Sequence, residues 1–202
     1  MEENEKYLKS LYDAERKEEL KAIRKENLIK SGFIFGDIDK IQFEADNELI
    51  RAGISKGSFF LIDGGPSVYL TLINNRILLA STIAEKIVDM SGLSNIASTF
   101  FTSLKNRLSE WNLSEDVEDY KNVQLLAIWE VDDLYNTKNE RAISGMDDIL
   151  QHRITNNKPT IITFSYKLCK ERMVSCGNYI CALSQTYTQP NSDKIVKITV
   201  KE

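Results

Sequence analysis

Four short strand-like runs constrain the fold of this chain more than any other feature. They are Phe59–Ile62, Ile96–Phe101, Gln124–Trp129 and Pro159–Phe164, and helix-forming segments separate them. The apolar residues within these runs are mostly continuous, a pattern typical of strands that are buried on both faces. Strands that alternate with helices form right-handed crossover units. The sequence therefore predicts an α/β fold with a parallel sheet between two layers of helices.

The segments between and around these runs are predicted to be mainly helical, because their apolar residues recur at intervals of three and four. We expect helices over 2–30, Asn47–Lys56, Ile77–Met90, Ser103–Trp111, Asn139–Thr155 and Tyr166–Val174. Two further strand-like runs, Tyr179–Leu183 and Lys194–Val200, follow the last of these helices.

The first helix is the most highly charged segment, with eight acidic and eight basic residues in 2–30 and no Gly or Pro. Its apolar stripe is thin, and Gly32 follows it as a candidate C-cap. The stripe consists of Leu8, Leu11, Tyr12, Leu20 and Ile23. Two interpretations stay open, a solvated helix lying against the body or an arm that docks a partner. We expect residues 1–32 to form this arm and 33–202 to form the α/β domain.

Composition narrows the classes of function. The formal net charge is −4, so binding of nucleic acid through the whole surface is not expected. A local basic patch at Lys105, Arg107, Arg153 and Lys158 stays open as a DNA contact. No apolar run reaches the roughly 20 residues that span a membrane, and the charged start is not a signal peptide. Three cysteines without a CxxC spacing favour a reduced, cytoplasmic compartment.

Polar residues and glycines gather where the predicted strands end. Gly64, Gly65 and Ser67 follow the first strand, Glu130 follows the third, and Ser165 follows the fourth. Asp132 and Asp133 lie just beyond Glu130. In open parallel sheets ligands bind beyond the carboxyl ends of the strands. A glycine loop that leads into a helix is suited to phosphate, because its backbone N–H groups and the helix N-terminus attract anions.

Four segments together resemble a known family. FEADNELIRAGISKGSFFLIDG, RILLASTIAEKI, QLLAIWEVDDL and ILQHRITNNKPTIITFS occur in the order of bacterial replicative-helicase loaders. These loaders are the DnaC/DnaI class of AAA+ ATPases, to which the IstB-like transposition helpers are related. The resemblance covers about residues 27–175 and implies a three-layer, AAA+-like P-loop NTPase core. It also implies ATP or ADP with Mg²⁺ as cofactor, a replicative helicase or other replication protein as partner, and a possible homo-oligomer.

The catalytic motifs of that family are degraded here. A Walker A loop needs a Gly-Lys-Ser/Thr end, whereas the alignment puts Arg76 and Ile77 there and lengthens the loop by 68–75. In place of the paired Walker B acids stand Trp129 and Glu130. Ser165 stands near the sensor position, and Cys176 near that of the arginine finger. Phosphoryl transfer depends on such charges, so we expect hydrolysis to be very slow or absent.

Under this resemblance, each candidate site residue has an expected role. Glu130 is the remaining catalytic acid, and Ser165 is the sensor. The residues expected to hold the nucleotide phosphates are Gly64, Gly65, Ser67 and Arg76. Asp132 and Asp133 are the candidates for Mg²⁺.

Three functions stay open. The first is a replication accessory protein that acts by binding, and the second is a divergent but active ATPase. The third is an interaction subunit unrelated to replication, because a fold does not fix a function. A composition rich in Lys, Asn, Ile and Ser, together with the degraded motifs, favours a phage or mobile-element origin.

Overall fold

The computed structural model describes residues 2–36, 47–63, 72–109, 115–131, 139–164 and 195–198. Within them the elements are α1 (Glu2–Lys30), α2 (Asn47–Lys56), β1 (Phe59–Asp63), α3 (Ile73–Ser91), β2 (Ile96–Phe100), α4 (Phe101–Ser109), α5 (Glu115–Asn122), β3 (Leu125–Trp129), α6 (Glu140–Thr155), β4 (Thr160–Phe164) and β5 (Ile195–Ile198). In the same part of the chain, no helix is long and apolar enough to cross a membrane.

The five strands form one sheet in the order β2-β3-β4-β1-β5. Every adjacent pair is parallel. The register aligns Asp63 of β1 with Phe164 of β4, and Ile128 of β3 with Ile162. The carboxyl ends of β1, β4 and β3 therefore lie side by side at one edge of the sheet.

Helices cover both faces of this sheet, as the strand pattern predicts. Alternate residues of the strands point into two separate cores. The residues of α1, α2 and α3 pack in one core with Phe60, Ile62 and Trp129. Those of α4, α5 and α6 pack in the other core with Leu61 and Ile128. The three-layer α/β architecture is thus confirmed.

The two cores also show where the chain changes face. It leaves β1 through α3 on one face and leaves β3 through α6 on the other, with β4 between them. Such a point of divergence opens a crevice at the carboxyl ends of the strands.

Three helices differ from the sequence prediction. α4 begins at Phe101 rather than Ser103, so Phe101 belongs to the helix and not to the strand before it. α3 begins at Ile73 rather than Ile77, so residues 73–75 belong to the helix and are not part of an extended loop. α5 was not predicted, because its sequence EDVEDYKN carries only one aliphatic residue, Val117. The predicted elements at 166–174 and 179–183 lie outside the described residues.

The C-terminal end of α1 belongs to the folded body. Gly32 adopts a φ of 87°, and the Phe33 N–H donates to the carbonyl of Leu28 over 3.0 Å. Leu28 and Phe33 are both buried, and the Phe33 ring meets that of Trp129 edge-on at 5.4 Å. Residues 11–22 of α1, in contrast, are all exposed.

The structure corrects one of the proposed DNA contacts. Arg153 is fully buried, and its guanidinium donates five hydrogen bonds to oxygen atoms of the last turn of α5, the α5–β3 and α6–β4 connections and β4. Helical spacing was an available signal, because position 153 lies three and four residues after the buried Leu150 and Ile149, but the prediction of a basic patch considered charge alone. Arg153 is therefore a structural residue and no part of a basic surface.

Candidate active site

Arg76 lies in the first turn of α3, directly after the segment that follows β1. The helix places its side chain toward the crevice, where it is only 3% exposed. Leu72, the N-cap residue, makes no side-chain cap, and the first turn holds no acidic residue. The positive end of the α3 dipole therefore has no acid from its own first turn to offset it.

Glu130 follows β3 directly and has an unusual backbone. Its φ is 56°, a left-handed conformation that is uncommon for residues other than glycine. Thr163 of β4 holds it in place, since its hydroxyl oxygen accepts the Glu130 N–H over 2.9 Å and its carbonyl accepts the Val131 N–H over 3.1 Å. Conformations of this kind persist only where the surroundings enforce them, and they cluster at functional sites.

The two side chains meet as a buried ion pair. The Nε of Arg76 donates to Oε1 of Glu130 over 3.0 Å, and Nη2 of Arg76 donates to Oε2. The hydroxyl of Thr163 donates a further hydrogen bond of 2.9 Å to Oε1. The Glu130 side chain is 15% exposed. The ion pair is bidentate and largely shielded from water. Removing either partner alone would therefore leave an uncompensated buried charge, at a cost of roughly 3–5 kcal/mol in stability.

The described residues do not fit the Mg²⁺ ion that the family resemblance implies. Magnesium needs oxygen ligands, whereas Ile77 is a buried hydrocarbon at the hydroxyl position. Trp129, which the family resemblance puts at the position of the metal-binding acid, packs its side chain in the core formed with α1, α2 and α3. Glu130, the remaining carboxylate, is already bound by Arg76 and Thr163. In the part of the chain that is described, no three acidic, His or Cys side chains come together as a metal site.

The structure thus brings together two of the residues proposed from the sequence, Arg76 and Glu130, across 54 positions of the chain. The other proposed site residues lie outside the described residues, namely Gly64, Gly65, Ser67, Asp132, Asp133 and Ser165. Sequence reasoning missed Thr163. A polar residue at the penultimate position of the buried strand PTIITF was the available signal.

The remaining candidates for a DNA patch lie around α4 and α5. Arg107 is exposed and its guanidinium lies 5.9 Å from the centre of the Tyr120 ring. The ammonium of Lys158 donates to the carbonyls of Lys121 and Asn122 at the end of α5. Burial of that ammonium and the nearby charge of Arg153 lower the pKa of Lys158. A DNA contact at Lys105, Arg107 and Lys158 stays a prediction.

Solved structures share this fold. The DnaC helicase loader superposes with a TM-score of 0.54 at 16% identity, over 81% of this chain and 96% of that one. AMPPCP-bound DnaA from Aquifex aeolicus gives a TM-score of 0.50 at 16% identity, over 75% of this chain and 44% of the other. A DnaA bound to AMPPCP and single-stranded DNA gives 0.51 at 13% identity, over 76% and 45%. The chain thus spans less than half the length of these DnaA structures.

At such low identity these likenesses establish the fold and nothing finer. The chain has the AAA+-like fold of P-loop NTPases, with a long N-terminal helix added to it. No protein-family model matches the sequence, and no curated protein matches it either.

Proposed function

We propose that this protein is a DNA replication accessory factor that binds a replicative helicase or another replication protein without hydrolysing ATP efficiently. The fold shared with the DnaC helicase loader and the sequence resemblance to helicase loaders support the replication context. The Arg76–Glu130 ion pair is the observation that supports binding without turnover.

The ion pair is expected to slow phosphoryl transfer, because it neutralises two charges that such a reaction would use. Phosphoryl transfer is accelerated by fixed cations on the transferring phosphate and by an acid that orients the attacking nucleophile. Here Arg76 of α3 and Glu130, which follows β3, neutralise each other. Each group would have to leave the other before it acted on a nucleotide, so hydrolysis in this pocket is expected to be very slow.

The binding role falls on α1. Leu11, Tyr12, Leu20 and Ile23 are all large apolar side chains that are 44–64% exposed. The end of the helix is anchored to α3, where Arg24 pairs with Asp89 at 3.2 Å. An anchored helix that carries exposed apolar residues is suited to dock into a groove of a partner. We therefore propose α1 as the docking arm.

The test uses the full chain and the purified replicative helicase of the same cell. Size-exclusion chromatography and calorimetry should show a stoichiometric complex both with and without ATP. The Leu11→Ser/Tyr12→Ser variant should lose this complex while keeping its thermal midpoint, because both positions are exposed. Glu15→Gln/Arg16→Gln is the matched control on polar positions of the same helix. Failure of the wild-type chain to bind the helicase or any other purified replisome component would contradict the proposal.

A divergent but active ATPase is the second candidate, and the retention of Glu130 with the Thr163 hydroxyl on its carboxylate favours it. A phosphate-release assay with partner and single-stranded DNA present would separate the two. Turnover that disappears in Glu130→Gln would establish the ATPase, whereas no turnover in the wild-type chain would eliminate it.

A further inference from the structure

We propose that α1 pairs in antiparallel orientation with α1 of a second copy of this chain, through the face that carries Tyr12, Arg16, Glu19 and Ile23. The inference does not depend on the proposed function, because it concerns the protein alone. A replication partner that docks on α1 would have to displace the second copy, so this pairing would also regulate the docking.

The outer part of α1 stands away from the folded body. Residues 11–22 are all exposed in the part of the chain that the structure describes. The helix is attached farther along, where Arg24 pairs with Asp89 of α3 and Leu28 is buried. Helices in proteins draw most of their stability from the packing of an apolar face. A protruding stretch of this length is therefore suited to pack against a further surface.

Four residues of α1 form a stripe along this stretch. Tyr12, Arg16, Glu19 and Ile23 follow one another at intervals of four, three and four, the spacing of contact positions in a coiled coil. With about 3.6 residues per turn, the stripe lies on the side of α1 opposite Leu28, which faces the body. Tyr12 is 64% exposed and Ile23 is 53% exposed. Both apolar ends of the stripe are therefore accessible from outside.

The distribution of charge along α1 indicates a second copy as the occupant of this face. Residues 2–15 hold five acidic and two basic side chains, a net charge of −3, whereas 16–30 hold three acidic and six basic, a net charge of +3. An antiparallel pair lays the negative half of each helix beside the positive half of the other. A parallel pair would place like charges together, which is unfavourable. The helix is thus complementary to itself in the antiparallel orientation.

The residues of the stripe match in the same orientation. When Arg16 of one copy lies opposite Glu19 of the other, the two-fold symmetry of the pair repeats this contact and puts Tyr12 opposite Ile23 at both ends. Two ion pairs then lie at the centre, with an apolar contact on either side. In a parallel pair, Arg16 would face Arg16 and Glu19 would face Glu19. The stripe therefore determines both which residues meet and the direction of the partner helix.

Sedimentation velocity of the full chain alone tests this pairing. From low-micromolar to near-millimolar concentration, the wild-type chain should shift from monomer toward dimer, and high salt should weaken the dimer by screening its exposed charges. Glu19→Arg puts four cations at the centre of the pair and should weaken association about tenfold or more. Glu18→Arg is the matched control, because it makes the same change of charge one position away from the stripe. It should associate at least as well as the wild-type chain.

A second charge reversal, Arg16→Glu, puts four anions at the centre and should also weaken self-association. An equimolar mixture of Arg16→Glu and Glu19→Arg chains restores opposite charges at both central contacts, so it should form a heterodimer. The orientation is tested with a mixture of Tyr12→Cys and Ile23→Cys chains under mild oxidation. Peptide mapping should locate a disulfide between positions 12 and 23. All these positions are exposed, so the variants should keep the circular dichroism spectrum of the folded chain.

Four results would overturn the inference. They are a wild-type chain that stays monomeric at every concentration, a dimer that Glu19→Arg or high salt leaves intact, a charge-reversal mixture that does not associate, and a disulfide that joins position 12 to position 12. Binding of a replication protein is measured separately, so failure here leaves the proposed function standing.

Discussion

Arg153 shows how one buried residue fixes two connections of the fold. Its Nη1 donates to the carbonyls of Tyr120, Lys121 and Val123, and its Nη2 donates to that of Pro159. The Nε donates to the Thr160 hydroxyl over 2.8 Å. Burial lowers the pKa of Arg153 to about 9, a value that leaves it charged at neutral pH. The guanidinium thus binds carbonyl groups at the end of α5 and at the start of β4.

Arg153→Lys should destabilise the protein by about 2–4 kcal/mol, because one ammonium cannot reach the acceptors at the end of α5 and those at the start of β4 together. Urea unfolding followed by circular dichroism measures this loss. Arg16→Lys on the exposed part of α1 is the control and should leave the midpoint unchanged. Equal stability of both variants would show that the hydrogen bonds of Arg153 are dispensable.

Thr163 is expected to matter through its hydroxyl alone. Thr163→Val keeps the shape but leaves the Glu130 N–H and carboxylate without this partner. We expect a loss of about 1–3 kcal/mol in unfolding free energy. Thr163→Ser retains the hydroxyl and should recover most of the loss in the same thermal or urea measurement. If the serine variant is as unstable as the valine variant, the methyl group of Thr163 contributes as much to stability as its hydroxyl.

At the scale of elements, two glycines allow the cost of a left-handed backbone to be measured apart from the cost of a steric clash. Gly57, between α2 and β1, has a φ of 62°, and a Cβ there would meet the backbone of Asn157 at 2.0 Å. Gly92, after α3, has a φ of 69° but open space around it. Gly92→Ala should therefore cost only about 1–2 kcal/mol for the left-handed conformation.

Gly57→Ala should cost clearly more, because the connection between α6 and β4 would also have to move. Thermal unfolding of the two variants side by side gives the difference. If Gly57→Ala and Gly92→Ala unfold at the same temperature, the backbone at Asn157 moves aside without a loss of stability.

The two halves of α1 should respond differently to the same substitution. Leu28 is fully buried against the body, whereas Leu20 is 45% exposed. Leu28→Ala is expected to lower the unfolding free energy by about 2–4 kcal/mol, since it leaves a cavity in the core. Leu20→Ala should change it by less than about 0.5 kcal/mol. A similar loss in both variants would mean that α1 packs along its whole length.

At the scale of the whole molecule, one sheet joins two cores. Both cores include residues of β1, β3 and β4, so neither layer of helices can separate without exposing the sheet. We expect both to unfold in one cooperative step, as in most single domains. In a Trp111→Phe background, Trp129 fluorescence and far-ultraviolet circular dichroism should give the same urea midpoint. Distinct midpoints would show that the layers unfold independently.

Much of this fold was accessible from sequence patterns, and particular residues show the reason. Phe59–Ile62 and Leu125–Trp129 are apolar on both faces, and this pattern is imposed by burial between two layers. The prediction of a helix over 139–155 is confirmed as α6, because its apolar residues recur at helical spacing, and Asn139 caps its first turn. The polar helix α5 was not predicted, because only Val117 and Tyr120 pack against the core and two residues are too few to show a helical period.

The sequence by itself determined the alternation of strands and helices, the long charged helix and the absence of a complete Walker A sequence, because these depend on residue types close together in the chain. The tertiary structure alone decided which polar residues meet. Arg76, Glu130 and Thr163 come from three elements that are adjacent only because β4 lies between β1 and β3. The same holds for Arg153, whose acceptors belong to other connections. Contacts between distant segments depend on strand order and register, which local patterns do not encode.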